Sequence, residues 1–342
     1  MEYCGNCLNS DFISEDIAVK SKKNGDCSIC GSKNVALIEV EHLHNLFNSL
    51  IELYKLHEKG ESLISLLKKD WLLFDTVPDE RVIVLLRGIK YGDENLRLNY
   101  IPAAEQTELF DWVSFKEELK HVNRFFPTTF PQHDALASLI SYLSAEVPIE
   151  GSKYYRARIQ KTSKELFPAN EMGAPPKTLA SNGRANPFGI SYLYVASTEN
   201  TAVSEVRPHN NEFITIATFK AKEELKLVDL RAPRKTIVPF RYSEASLKNI
   251  YQGLNLLEML GEELTKPVSQ SKAQLEYLSS QYLCEFIKSQ GYDGVIYESA
   301  LGDGDNYAIF DEAKLECFNI SQVQINSVKI SHIKVVNDDL QQ

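Results

Sequence analysis

The sequence has no long apolar run. Its 342 residues contain no stretch approaching the roughly eighteen uninterrupted apolar residues that a membrane-spanning helix needs. The first residues, with Cys4 and Asn6 among them, also lack the basic start and apolar run of a secretory signal peptide. We therefore expect a cytoplasmic protein that does not contact a membrane.

Positive charge is scarce as well. The chain has 37 Lys and Arg against 47 Asp and Glu, which gives a formal net charge of -10. Nucleic acids and anionic membranes attract proteins through basic surfaces, so neither is an expected partner. If the chain binds an anionic ligand, a few basic side chains must be gathered locally around it.

The length of the chain favours several modules. With 342 residues, of which 43% are hydrophobic, it can bury more than one core. Changes of pattern along the sequence predict a zinc ribbon over residues 1–38 and a helical scaffold or regulatory region over 39–148. A third module, containing strands and helices, is predicted over 149–335.

Only six cysteines occur, and four of them form two close pairs near the N-terminus. Cys4 and Cys7 make one Cys-x-x-Cys motif, Cys27 and Cys30 make the second, and residues 8–26 separate the two. Two such motifs present four sulfurs to one tetrahedral ion, as in a structural zinc ribbon. The metal would supply folding energy that a segment with few large apolar residues lacks. A redox pair or two incidental pairs are the alternatives.

The middle region has the periodicity of helices. Apolar residues recur at helical spacing from Leu43 to Tyr54, and further helices are predicted over 105–126 and 134–144. A ribonuclease of the HEPN type would need an Arg and a His on one helix with four to six residues between them. The interval from Arg124 to His133 is longer and contains prolines, so we expect no such activity here.

Beyond Pro148 and Gly151 the pattern changes to short apolar alternations, which are typical of strands. Strands are predicted over residues 154–160, 192–196, 213–219, 225–230, 294–297 and 307–310. Helices are predicted over residues 198–206, 246–264 and 272–290. Because strands and helices do not alternate regularly, the predicted fold class is α+β.

This C-terminal region carries residues that suit an anionic ligand. Arg156 and Arg158 project from the same face of the first strand, because side chains alternate along a strand. A loop rich in glycine and proline follows and contains Arg184, and such loops present groups to ligands. Tyr194 on the next strand and Glu205 on the next helix complete the pattern.

In this order the residues resemble those of the RES family, which is named for its Arg, Glu and Ser and looks like an ADP-ribosyltransferase. The resemblance extends from about Lys153 to about Asp311, and Ala185 stands where many members carry tryptophan. A zinc-bearing, helical N-terminal extension before a RES domain also resembles a recognised arrangement. The residues that match the family's motifs are Arg156, Arg184, Tyr194, Glu205 and Ser299.

The resemblance implies an enzyme that cleaves the nicotinamide–ribose bond of NAD⁺, typically the toxin of a bacterial toxin–antitoxin pair. It implies catalytic roles for Glu205, Arg156 and Ser299, and an antitoxin or other regulatory protein as a partner. The residues expected to bind NAD⁺ are Arg156, Arg184, Tyr194 and Ser299, with Arg158 added because it shares the face of Arg156.

Two other functions stay open at this point. The same site residues suit transfer of ADP-ribose to a protein or a nucleotide. In a different class of function, the chain is a non-catalytic zinc-ribbon interaction module whose RES-like part only binds a nucleotide.

Overall fold

The computed structural model of the chain describes residues 2–103, 111–129, 133–163, 166–269 and 271–329. The first part of the helix predicted over 105–126, and the end of the module predicted over 149–335, lie outside these residues. The chain forms two compact units, one of residues 1–145 with 228–290 and the other of residues 146–227 with 291–342. No helix in the described ranges has the length and apolar character needed to cross a bilayer.

The N-terminal segment of the first unit is a small sheet with one helix. Strands β1 (Glu2–Tyr3), β2 (Lys23–Gly25) and β3 (Val35–Glu39) are antiparallel, with β3 in the centre. Helix α1 (Asp11–Lys20) begins after Ser10, whose side chain accepts a hydrogen bond from the backbone N–H of Ile13. The four paired cysteines lie together in this segment, which confirms the predicted cysteine cluster.

The middle region is helical, as predicted. Besides α1, the α-helices that the structure describes in the first unit are α2 (His44–Ile51), α3 (Leu63–Trp71), α4 (Asp79–Ile89), α5 (Trp112–His121), α6 (His133–Ser141), α8 (Pro233–Thr236), α9 (Glu244–Thr265), α10 (Ala273–Glu276) and α11 (Leu278–Ser289). Helix α7 (Glu199–Glu205) belongs to the second unit.

Tyr54 differs from its prediction as part of a helix. It begins strand β4 (Tyr54–Ser62), which pairs with β5 (Asn99–Pro102). Its hydroxyl donates a hydrogen bond to the buried carboxylate of Asp70 at 2.8 Å and accepts one from Trp71 Nε1 at 2.9 Å. These partners are distant in sequence, so local periodicity does not reveal them.

The helices of residues 228–290 complete the core of the first unit. The carboxylate of Glu263 on α9 accepts hydrogen bonds from Trp112 Nε1 at 3.0 Å and from Lys116 Nζ at 2.7 Å, both on α5. It also accepts one from Ser279 Oγ on α11 at 2.5 Å. Three helices therefore share one partly buried polar cluster, although the sequence separates them widely.

The second unit is built on a mixed eight-stranded sheet. Its strands are β6 (Ser144–Val147), β7 (Tyr154–Ile159), β8 (Leu193–Ala196), β9 (Phe213–Ala221), β10 (Leu225–Asp229), β11 (Gly294–Glu298), β12 (Asp305–Ile309) and β13 (Leu315–Gln324). Their order is β13-β9-β7-β8-β12-β11-β10-β6. The six predicted strands are present, and the α+β prediction is confirmed.

Strand β13 was not predicted because it contains a bulge. Its register against β9 shifts between Cys317 and Asn319, so the alternation of inward and outward side chains changes phase in mid-strand. A search for strict alternation does not detect such a strand.

The sheet opens between β7 and β8. Strand β7 pairs with β9 along its whole length, from Tyr154 to Ile159, but it pairs with β8 only at Tyr155, opposite Ala196. Beyond this pair the two strands part. Helix α7 covers one face next to the opening, where Ala202 packs against Ala157 and Ala196.

Candidate active site

A cavity of about 320 Å³ lies at the opening between β7 and β8. This volume is near the lower end of the range of about 300–1,000 Å³ that is usual for small-molecule sites. Both strands, helix α7, the loop before β8 and the β11–β12 pair contribute to its walls. The structure thereby brings together four residues predicted from the sequence, which are Arg156, Arg184, Tyr194 and Glu205.

Glu205 is the last residue of α7. Its Oε1 atom accepts two hydrogen bonds, from Ser299 Oγ at 2.7 Å and from Asn306 Nδ2 at 2.7 Å. Its Oε2 atom accepts none from the residues that the structure describes. The helix dipole interacts unfavourably with a carboxylate at the C-terminal end of a helix, and the two hydrogen-bond donors offset this electrostatic cost. One carboxylate oxygen is thus fixed, and the other is left for a ligand.

Ser299 has its hydroxyl proton directed at Glu205. The backbone N–H groups of Leu301 and Gly302 donate to Ser299 Oγ at 3.1 and 3.0 Å. A serine hydroxyl has two acceptor sites and one proton, so these donors leave the proton for the carboxylate. Ser299 is not among the residues that line the cavity. Its geometry is that of a residue that orients Glu205.

Arg156 reaches across the opening of the sheet. Its Nη1 atom donates a hydrogen bond to the backbone carbonyl of Tyr194 at 3.0 Å. Burial, together with the positive charge of Arg158, lowers the pKa of Arg156 to about 10, so the guanidinium stays charged at neutral pH. Its Nε atom is buried and has no hydrogen-bond partner within the described ranges. A guanidinium with an unused, buried N–H group is suited to binding an anion.

The loop that carries Arg184 is fixed by the hydroxyl of Tyr194. This hydroxyl accepts a hydrogen bond from the backbone N–H of Ala185 at 3.1 Å and donates one to Asn186 Oδ1 at 2.6 Å. The Nδ2 atom of Asn186 in turn donates to the carbonyls of the same loop at Ser181, Pro187 and Ile190. Arg184 therefore sits on a turn whose neighbours are held on both sides.

Gly183 allows this turn to approach Tyr194 closely. A Cβ atom at position 183 would lie 2.3 Å from Asn186 Oδ1 and 2.4 Å from Tyr194 Oη, which is too close for any side chain. The first and last residues of the sequence Gly-Arg-Ala-Asn are thus each explained by a contact in the structure. Glycine admits the tyrosine hydroxyl, and asparagine fastens the loop.

The four paired cysteines form a second candidate site. Their sulfur atoms all lie within 4.8 Å of one another, and three of the residues are buried. The closest pairs are Cys4 with Cys30 and Cys7 with Cys27, at 3.4 Å each. A tetrahedral ion with Zn–S bonds of about 2.3 Å holds its sulfurs about 3.8 Å apart, so this cluster fits such an ion. Four thiolates would fill the coordination shell of such an ion and leave no open position for a substrate.

Comparison with known proteins decides the family. The sequence model of the RES domain matches residues 153–331, which is more than half of the chain. The chain belongs to the RES domain family. No curated protein sequence gives a match. Among solved structures, a chain in the M. tuberculosis MbcT–MbcA toxin–antitoxin complex shares 13% identity, with 56% of this chain and 93% of that chain covered and a TM-score of 0.30.

Arg158 is, like Ser299, a predicted residue of the RES domain that does not line the cavity. The guanidinium of Arg158 lies over the ring of Phe167, at 4.0 Å from the ring centre, and donates a hydrogen bond to the carbonyl of Glu171. Arg158 is not among the residues that line the cavity. Its contacts hold the segment after β7, and a direct role in binding NAD⁺ stays a prediction.

Two asparagines of the RES domain were missed as site residues. Asn306 is buried on β12 and bonds to Glu205, and Asn186 is buried in the loop beside Arg184. The amide of a buried asparagine needs hydrogen-bond partners, so each of these two residues says more about the site than an exposed asparagine would. The sequence offered only a weak signal for Asn306, which follows Asp305 at the start of a strand whose remaining residues are Tyr307, Ala308 and Ile309.

Proposed function

We propose that the RES domain of this chain cleaves the nicotinamide–ribose bond of NAD⁺. The observation that carries the proposal is the cavity between β7 and β8, in which Glu205 and two arginines line the same space. The membership of the RES family supports it. Among the reactions that consume NAD⁺, we favour hydrolysis or phosphorolysis over transfer of ADP-ribose to a macromolecule.

The role of Glu205 follows from the charge that the reaction develops. When the bond breaks, its electron pair leaves with nicotinamide, which departs as a neutral molecule and needs no proton donor. The ribose becomes positively charged, as in glycoside hydrolysis. A fixed carboxylate stabilises this charge until the acceptor oxygen bonds to the sugar and releases its proton to solvent. One well-aimed group of this kind contributes about 3 to 4 kcal/mol.

The arginines suit the other end of the substrate. The pyrophosphate of NAD⁺ is anionic, and the planar fork of arginine matches phosphate oxygens better than the point charge of lysine. Arg156 has an unused buried N–H, and Arg184 lies on a fixed turn. In a chain with a net charge of -10, this local positive charge is what an anionic substrate requires.

The test is to incubate the full chain with NAD⁺ and to follow free nicotinamide. Glu205→Gln keeps the shape of the side chain and removes its charge, so we expect nicotinamide release to slow at least about a hundredfold. Glu199→Gln, an exposed substitution on the same helix, is the matched control and should leave the rate unchanged. Identifying the ribosyl product separates water, phosphate and a macromolecule as acceptor.

The outcomes are distinct. If wild-type protein binds NAD⁺ but releases no nicotinamide under any condition tested, the domain only binds the nucleotide. If Glu205→Gln turns over as fast as wild type, Glu205 is not the catalytic carboxylate.

In the cell, we propose that the chain is a toxin or defence effector restrained by an antitoxin or another regulatory protein. An unrestrained enzyme of this kind would deplete the NAD⁺ of its own cell. Inducing the wild-type chain alone should lower cellular NAD⁺, and the Glu205→Gln chain should not. The cysteine cluster, on this proposal, holds zinc and has no part in the reaction.

A further inference from the structure

We propose that Asn306 is a positioning residue that fixes the orientation in which the carboxylate of Glu205 faces the substrate. The inference rests on the proposed function in taking Glu205 as the catalytic carboxylate. The hydrogen bonds that hold Glu205 are independent of that function. Asn306 Nδ2 donates to Glu205 Oε1 at 2.7 Å, on the same oxygen that accepts from Ser299. Two donors on one oxygen fix the plane of the carboxylate and leave Oε2 as the acceptor that faces a ligand.

The chemistry of the contact fixes the orientation of the Asn306 amide. Glu205 Oε1 is an acceptor, so only the nitrogen side of the amide can face it. The reversed orientation would bring two oxygens together at 2.7 Å, which is repulsive. Nδ2 therefore points at Glu205, and no other hydrogen bond to this side chain occurs in the described part of the chain.

The position of Asn306 in the sheet explains why it holds a fixed geometry. It lies on β12, between Ala196 of β8 and Tyr297 of β11 in the register of the sheet, and only 7% of its surface is exposed. A strand paired on both sides does not shift, and a buried amide needs its hydrogen bonds. Asn306 is thus a rigid donor, whereas Ser299 lies on a turn.

The Asn306 amide also places a hydrogen-bond donor on a carboxylate oxygen of Glu205, at 2.7 Å. Hydrogen bonds to a carboxylate favour its charged form, and a charged carboxylate is what the positive ribose needs. The other titratable side chains that line the cavity are Arg156, Arg184, Tyr155, Tyr194 and Tyr297. Among these, the pKa of Arg156, lowered by burial and by Arg158 to about 10, still lies well above neutral pH.

The test compares Asn306→Asp with Asn306→Ala. At neutral pH both variants lose the donor, and we expect the kcat of nicotinamide release to fall about 10- to 100-fold with little change in KM. Below about pH 6, the carboxyl introduced at position 306 and that of Glu205 share one proton, so the introduced group can donate as the amide does. The Asn306→Asp variant should therefore regain most of its activity at acidic pH, and Asn306→Ala should not.

A readout that does not depend on activity separates this inference from the proposed function. The carboxyl carbon of Glu205, assigned with the Glu205→Gln variant, can be titrated by NMR in the protein without substrate. Asn306→Asp should raise the pKa of Glu205 by at least about one unit, because two carboxylates then compete for one site. Asn200→Asp, which adds a charge on the exposed face of α7, is the matched control and should leave that titration nearly unchanged.

The possible outcomes all bear on the inference. An unchanged Glu205 titration in Asn306→Asp would overturn it, whether or not the chain consumes NAD⁺. Equal and pH-independent losses in both Asn306 variants, with a lower melting temperature, would assign Asn306 to the fold alone. A shifted titration in a chain that releases no nicotinamide would support the geometry and reject the proposed reaction.

Discussion

Arg156 and Tyr194 are joined across the opening of the sheet, where Arg156 Nη1 donates to the backbone carbonyl of Tyr194 at 3.0 Å. A strand pair would normally satisfy this carbonyl with a backbone N–H. Here a guanidinium replaces it, so the same charged group both bridges the opening and lines the cavity. The gap between β7 and β8 is therefore occupied by a side chain that can also bind an anion.

We expect Arg156→Lys and Arg184→Lys each to weaken NAD⁺ binding by roughly 1.5 to 3 kcal/mol, because lysine keeps the charge but loses the fork. The measurement is calorimetry in a Glu205→Gln background, which prevents turnover. Arg158→Lys is the comparison, and a smaller loss is expected since Arg158 contacts Phe167 and the Glu171 carbonyl outside the cavity.

Free nicotinamide, which carries no phosphate, should bind all three variants as it binds the parent protein. Equal losses for NAD⁺ and nicotinamide would mean that the arginines only hold the fold, and the assignment of a phosphate clamp would be wrong.

Tyr194→Phe should loosen the loop of Arg184. The substitution removes the hydroxyl that bonds to Ala185 and Asn186, and we expect NAD⁺ affinity to fall by about 0.5 to 1.5 kcal/mol. Hydrogen exchange of residues 181–187 should become faster in the protein without ligand. If exchange stays as in wild type while affinity falls, the hydroxyl contacts the ligand directly and does not act through the loop.

Sequence order singled out four residues that meet in one cavity, but it did not indicate the contacts that hold them there. Arg156, Arg184, Tyr194 and Glu205 were expected from their order along the chain, and they line one cavity. The role of Asn306 depends on the pairing of β12 with two neighbouring strands, which a single sequence does not reveal.

The same limit applies to the fold. Helices and strands with regular periodicity were predicted, whereas β13 was hidden by its bulge and Tyr54 was assigned to a helix. The grouping of residues 228–290 with residues 1–145 rests on contacts such as those of Glu263 with α5, between residues far apart in sequence. The domain boundaries at 38 and 148 stay predictions.

Glu118 should make the stability of the chain depend on pH. Its carboxylate accepts hydrogen bonds from the backbone N–H groups and hydroxyls of Thr128 and Thr129, and these lower its pKa to about 2. A carboxyl whose pKa is depressed in the folded state stabilises that state above its unfolded pKa, and the effect is lost as the pH falls through the folded value. Glu118→Gln should therefore lower the melting temperature at pH 7.

The difference from wild type should shrink as the pH falls below about 4.5 and should disappear only below about pH 2, where wild-type Glu118 is protonated as well. Glu117→Gln, on the same helix but with an exposed side chain, is the control and should melt as wild type does at every pH. A deficit for Glu118→Gln that does not change with pH would assign Glu118 a role in packing alone.

The cysteine cluster should bind one zinc ion per chain, and the metal should stabilise more than the N-terminal residues. Arg81 Nη1 on α4 donates a hydrogen bond to the carbonyl of Ile29, which lies between Cys27 and Cys30. Loss of the metal should therefore also destabilise the helices of the first unit. We expect the double substitution Cys4→Ser and Cys27→Ser to abolish zinc binding and to lower the melting temperature, since a structural zinc contributes roughly 10 kcal/mol or more to folding in small zinc modules.

The control for the metal is Cys317→Ser, a substitution outside the cluster that should keep one zinc per chain. Nicotinamide release per folded molecule should stay as in wild type at a temperature at which the double variant is folded, because four thiolates leave the ion no open position for a substrate. Turnover that falls in proportion to the metal removed from a folded protein would instead show that the ion takes part in the reaction, and its assignment as structural would be wrong.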